Sequence, residues 1–126
     1  MTGWLEKCNK YPVIMFSEAL RKARSRADKR EVPFNIDKEY LISLFKDQEG
    51  KCYYSGVQLN IVKKKTGVIN DPMKMTLDCI EPGVGYIKGN VVWCAYCVNV
   101  FKQKMSVSEM VQICGGIIKT SSENKV

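Results

Sequence analysis

Histidine is absent from all 126 residues. That excludes Ser-His-Asp and Cys-His catalysis, His-rich metal sites and the usual general base near neutral pH. Any chemistry must come from carboxylates, amides, thiols, tyrosine or lysine. Long apolar runs are missing too. No stretch approaches the roughly eighteen residues of a membrane span, and the opening "MTGWLEKCNKYPVIMF" holds no secretory-type apolar core. The expectation is a soluble, intracellular protein with no membrane partner. Internal repeats are lacking. Acid is in the minority: 13 Asp and Glu against 20 Lys and Arg give a net charge of +7 and a pI near 9.1. This balance favours a polyanionic partner such as nucleic acid.

What is present fits one domain, because 126 residues with 45% hydrophobic content support a single core. The expected organisation is an N-terminal extension over 1–15, one domain over 16–119 and a flexible tail over 120–126. Residues 16–30, "FSEALRKARSRADKR", set Phe16, Ala19, Leu20, Ala23 and Ala27 at helical spacing. Arg21, Lys22, Arg24, Arg26, Lys29 and Arg30 cover the rest of that helix, as a phosphate-contacting surface would. Lys63, Lys64 and Lys65 in a polar loop are a second basic candidate. Pro33 ends the first helix. Asp37 caps a second, with Tyr40, Leu41, Leu44 and Phe45 on one face and Gly50 after its end. "KCYYSGVQLN" reads as a short β-like run around a Ser55-Gly56 turn. Ser106 and Glu109 form a capping box for a closing amphipathic helix that carries Val107, Met110, Val111, Cys114, Ile117 and Ile118.

Residues 76–102, "TLDCIEPGVGYIKGNVVWCAYCVNVFK", read as strand, Gly-rich turn, strand and helix, the helix falling within 94–104. Trp93, Tyr96 and Phe101 are expected in the core. The order Leu77-Asp78, Ile80, Gly85-Tyr86, Gly89-Asn90-Val91, Val98-Asn99 and Lys102 resembles the HNH endonuclease family. The likeness is strongest to phage and viral members with an L-D-R-I-D, G-Y, G-N-V, V-N-x-x-K core, and it extends over about residues 19–114. It implies an α+β fold of the ββα-metal type, a hairpin-plus-helix core at 75–104 with flanking N-terminal and C-terminal α-helices.

By that resemblance Asp78 and Asn99 are the metal ligands, Asn90, counted with the catalytic residues, is the structural amide that ties the turn to the second strand, and Lys102 faces the phosphate. Two oxygen donors suit a hard cation, Mg²⁺ or Mn²⁺, with water and phosphate oxygens filling its other positions. The implied activity is hydrolysis of phosphodiesters in nucleic acid, double-stranded DNA foremost. The family's base histidine is replaced by Cys79, a poor base for water, and Glu81 at the second acidic position is the nearest substitute. The alternative is a catalytically inactive HNH-fold protein serving as a nucleic-acid-binding or structural subunit of a larger assembly. A zinc knuckle is disfavoured. Cys52-Tyr53-Tyr54-Ser55 lacks its second thiol, and Cys94 and Cys97 sit out of step with the family. A Cys52, Cys94, Cys97 site would need a fourth ligand, so these read as buried free thiols.

Overall fold

The first helix, α1 (Pro12–Arg30), forms because Phe16, Ala23 and Ala27 recur on one face and disappear into the core. It stops where Glu31 turns to a φ of 56° and the Val32 N–H closes back on Ala27 O at 3.1 Å. A computed structural model describes the backbone of residues 12–60 and 71–124, with side chains from residue 14 onward. Lys63, Lys64 and Lys65 lie outside the described residues. Helix α2 (Lys38–Asp47) starts where expected, Asp37 accepting from the Tyr40 N–H at 2.8 Å. Leu41 and Phe45 are its buried positions. Gly50 takes a φ of 68° beyond its end, donating to Phe45 O.

The run at 51–60 makes only isolated bridges, Lys51 with Gln58 and Asn60 with Lys74, and not a strand. Its Tyr53 N–H is drawn instead to Trp93 O at 3.0 Å, tying the Ser55-Gly56 turn to the sheet. Strands β1 (Met75–Cys79) and β2 (Val91–Ala95) pair antiparallel, with Leu77 opposite Trp93 and Asp78 opposite Val92. Side chains alternate across a strand. Trp93 turns toward α1 and α2, where Phe16, Phe45 and Trp93 stack edge to face at centroid distances of 5.6 to 5.9 Å. The Trp93 indole N–H donates to Leu41 O at 3.0 Å, fixing the ring. The Gln48 side chain meets the outer edge of β2. Its amide donates to Trp93 O at 2.9 Å and its carbonyl accepts the Trp93 N–H at 3.0 Å.

Helix α3 (Tyr96–Lys102) leaves β2 with no loop and crosses the opposite face of the hairpin. It is shorter than 94–104 because Cys94 and Ala95 remain in the sheet. Trp93 is core as expected, whereas Tyr96 is half-buried and Phe101 exposed.

Helix α4 (Val107–Asn124) begins at the expected capping box. Ser106 Oγ accepts the Glu109 N–H at 3.1 Å, and Glu109 Oε1 accepts the Ser106 N–H at 2.9 Å. The helix runs on to Asn124. Its apolar stripe does not close on the core: Met110 is buried, but Val111, Ile117 and Ile118 are exposed. Periodicity identifies an apolar face without supplying a partner for it. The fold is therefore α+β, four helices around a two-stranded antiparallel hairpin among the described residues. No described helix is long and apolar enough to cross a membrane.

Candidate functional site

Thr76 and Asp78 are two residues apart on β1 and so share the face that α3 covers. Asp78 is buried at 8% exposure, and its Oδ2 accepts the Tyr54 hydroxyl at 2.6 Å. Lys102, fully buried, brings its Nζ to 3.2 Å from the same oxygen. That ammonium also donates to Cys79 O at 3.1 Å. Burial, and then the adjacent Asp78 charge, holds the Tyr54 phenol well above its usual pKa, so it stays a donor. Lys102 thus does not stand at a surface facing phosphate. It lies inside, held by the carboxylate that the resemblance makes a metal ligand.

Asn99 projects from α3 onto the same face. Its Nδ2 donates to Thr76 Oγ1 at 3.1 Å and to Leu77 O at 3.3 Å. Because the Thr76 hydroxyl gives its proton to Cys94 O at 2.9 Å, Thr76 must accept from Asn99, which fixes the amide's orientation. No described residue donates to Asp78 Oδ1. A carboxylate and an amide are donor types that suit a hard divalent cation that keeps several waters. Lys102 already balances the Asp78 charge, so such a cation would gain less here than at an unpaired carboxylate.

Asn90 is the keystone of the hairpin turn. Its Oδ1 accepts the Glu81 N–H at 3.0 Å, while its Nδ2 donates to Glu81 O at 3.0 Å and Gly85 O at 2.7 Å. A buried amide with all these partners is spent on structure. Glu81 has its backbone in this clamp and its side chain exposed, with no bond to Asp78 or Asn99. Gly85 adopts a φ of 103°, and a Cβ there would meet Pro33 O at 2.6 Å. That close approach lets the Tyr86 N–H reach Pro33 O at 2.9 Å and docks the turn on the α1–α2 connection. Cys79, one residue after Asp78, turns to the other face. Its thiol is buried and lies 3.5 Å from Gly85 O. Burial, then the Asp78 charge, pushes that thiol up to about 11, so it remains neutral and unsuited to act as a base.

The basic residues of α1 divide by direction. Arg26 Nε donates to the Tyr86 hydroxyl at 3.0 Å and Arg30 Nη1 to the same oxygen at 3.3 Å. No described carboxylate pairs with either guanidinium. Arg24 lies over the Phe34 ring at 4.5 Å. Lys22 pairs with Glu18 at 3.2 Å, and Arg21 and Lys29 are exposed.

Cys52, Cys94 and Cys97 do not assemble. Cys52 and Cys94 are buried, Cys97 is exposed on α3, and no three Cys, Asp or Glu among the described residues gather as a metal cluster. Burial pushes the Cys94 thiol up to about 12. At Cys52 burial acts upward, but hydrogen bonds from Ser55 and from the backbone of Ala95, Ser55 and Tyr54 outweigh it and lower the thiol.

Comparison with known protein families, curated proteins and solved structures finds no match to this chain. Several residues around Asp78 and Tyr86 escape a reading of the sequence. Thr76 is legible there, since period two puts it on the face of Asp78. Tyr54 and the Arg26–Tyr86–Arg30 junction are not, because 24 and 60 residues separate their partners and no local pattern links them.

Proposed function

We propose that the chain is an HNH-like nuclease of the ββα-metal type, which binds nucleic acid through α1 and hydrolyses phosphodiesters with a single Mg²⁺ or Mn²⁺. The observation that carries this reading is the placement of Asp78 and Asn99 on one face of the hairpin, with Asn99 bonded to Thr76 and Leu77 beside Asp78. Asp78 and Asn99 would hold the cation through their side-chain oxygens. When bound, it supplies a Lewis acid for a phosphate oxygen and offsets charge developing on the phosphorus. Lys102 and Tyr54 fix the Asp78 carboxylate, so the donor is preorganised. Arg26 and Arg30, with no carboxylate partner among the described residues, attract the phosphate backbone. Cys79 takes no proton from water. That task falls to Glu81 or bulk solvent, which makes the hydrolysis slow.

A second reading, a non-catalytic nucleic-acid-binding or assembly subunit, draws on the same geometry: a neutral buried thiol at the base position and an ammonium already on Asp78. One experiment separates the two. Supercoiled plasmid is incubated with the chain and Mg²⁺ or Mn²⁺, beside an Asn99→Ala variant shown by circular dichroism to be folded. Metal-dependent nicking lost in that variant is the expected result. Salt-sensitive DNA binding without nicking would establish the second reading, and absence of both would refute the proposal.

A further inference from the structure

Lys102 acts as a cation already lodged on Asp78. It is fully buried, its Nζ lies 3.2 Å from Asp78 Oδ2, and it donates to Cys79 O at 3.1 Å. The Tyr54 hydroxyl holds the same carboxylate oxygen at 2.6 Å, and the ammonium sits 5.8 Å from the centre of the Tyr54 ring. Among the described residues no other carboxylate pairs with Lys102, and no cluster of three acidic or thiol side chains includes Asp78. The formal charge of the group is therefore zero: one carboxylate, one ammonium and the neutral Asn99 amide.

A divalent cation entering here meets a carboxylate whose charge is already matched, beside an ammonium that burial leaves poorly screened. Lys102 has no second berth. Its stem is buried, its backbone O accepts the Met105 N–H at 2.8 Å, and Asp78 and Cys79 O are the only described acceptors of its ammonium. Moving it off Asp78 would strand a charge inside the protein. The missing negative charge has to come from outside, and Mg²⁺-type ions are ordinarily held by one or two carboxylates together with substrate phosphates. We infer, on the nuclease reading above, that the site takes its cation only together with a phosphodiester of the bound nucleic acid, Lys102 being the positioning residue that couples the two. Coupling between two ligands is reciprocal, so the cation must tighten nucleic-acid binding by the same factor. That sign is diagnostic, because a divalent ion acting only as a counterion competes for phosphates and weakens binding. Removing the ammonium breaks the coupling: an unpaired Asp78 binds the cation without nucleic acid.

Fluorescence anisotropy of a short labelled duplex, at fixed ionic strength with and without Mn²⁺, tests the coupling in the unmodified chain. The expected result is an affinity raised about fivefold or more by Mn²⁺, and not raised in Asn99→Ala. For the protein alone, the electron paramagnetic resonance signal of free Mn²⁺ reports binding. Lys102→Met should bind Mn²⁺ about tenfold or more tightly than the unmodified chain, and Mn²⁺ should raise the thermal midpoint of that variant more than that of the unmodified chain. Should Lys102→Met not fold even with Mn²⁺, the anisotropy series decides alone. A duplex affinity that Mn²⁺ lowers or leaves unchanged would overturn the inference, as would a folded Lys102→Met that binds Mn²⁺ no more tightly than the unmodified chain. Either result with plasmid nicking intact leaves the nuclease reading standing. Absence of Mn²⁺ binding and of nicking in every arm removes both.

Discussion

Replacing Lys102 by methionine isolates the energetics of the buried pair. Methionine keeps nearly the length and volume of the stem, so the cavity contribution is small and the ammonium is what is lost. Asp78, buried at 8% exposure, then keeps only the Tyr54 hydroxyl at 2.6 Å. Breaking a buried pair by removing one partner costs about 3–5 kcal/mol. The expected loss is therefore about 3–5 kcal/mol, a large share of the roughly 5–15 kcal/mol that stabilises a domain. Urea denaturation followed by circular dichroism measures it, and Asp78→Asn with Lys102→Met should recover at least half of the deficit. A loss below about 1 kcal/mol for Lys102→Met, or a double variant showing the simple sum of the two single losses, would refute the reasoning. The converse also matters for activity assays. Asp78→Ala strands a buried ammonium, so inactivity of that variant is interpretable only once its fold has been verified.

Gly85→Ala forces a side chain into a φ of 103° and against Pro33 O at 2.6 Å; a loss of about 2–4 kcal/mol in urea is expected. The Cys94 thiol, pushed up to about 12 by burial, stabilises the fold fully while unfolded thiols are protonated, below about pH 9. That contribution is lost as the pH rises from about 9 through 12. The stability deficit of Cys94→Ala at pH 7 should accordingly narrow over that window in thermal melts recorded against pH. Replacing Arg26 and Arg30 together by glutamine should weaken DNA binding and lower the slope of log K against log salt by about 2, measured by fluorescence anisotropy. The same change at Arg21 and Lys22 should matter less, since Lys22 is already paired with Glu18.

Much of the architecture is legible in the chain because its determinants are local. The Asp37 cap, the Ser106–Glu109 box and the strand, turn, strand and helix order each rest on residues close in sequence. What fails depends on distant partners. A lysine reads as a surface residue, and only the approach of Asp78 and Cys79 O allows Lys102 to be buried. Cys79 and Asp78 are neighbours in the chain, yet strand alternation sends them to opposite faces, so adjacency in sequence overstates their cooperation. The stripe on α4 is visible from its spacing, but its closure on the core does not follow, because a 3.6-residue period carries no information about what lies opposite.

The contact of Gln48 with Trp93 has a bearing on aggregation. A two-stranded sheet has unsatisfied peptide groups along both flanks, and a foreign strand adding there would begin a cross-β stack. On the β2 flank a glutamine amide occupies the middle of that row, giving and taking one hydrogen bond as a strand residue would, and the Tyr53 N–H joins it at Trp93 O. The hairpin is thus closed to extension on that side by the Gln48 side chain together with the Tyr53 N–H, and Gln48→Ala would free the Trp93 N–H for a foreign strand.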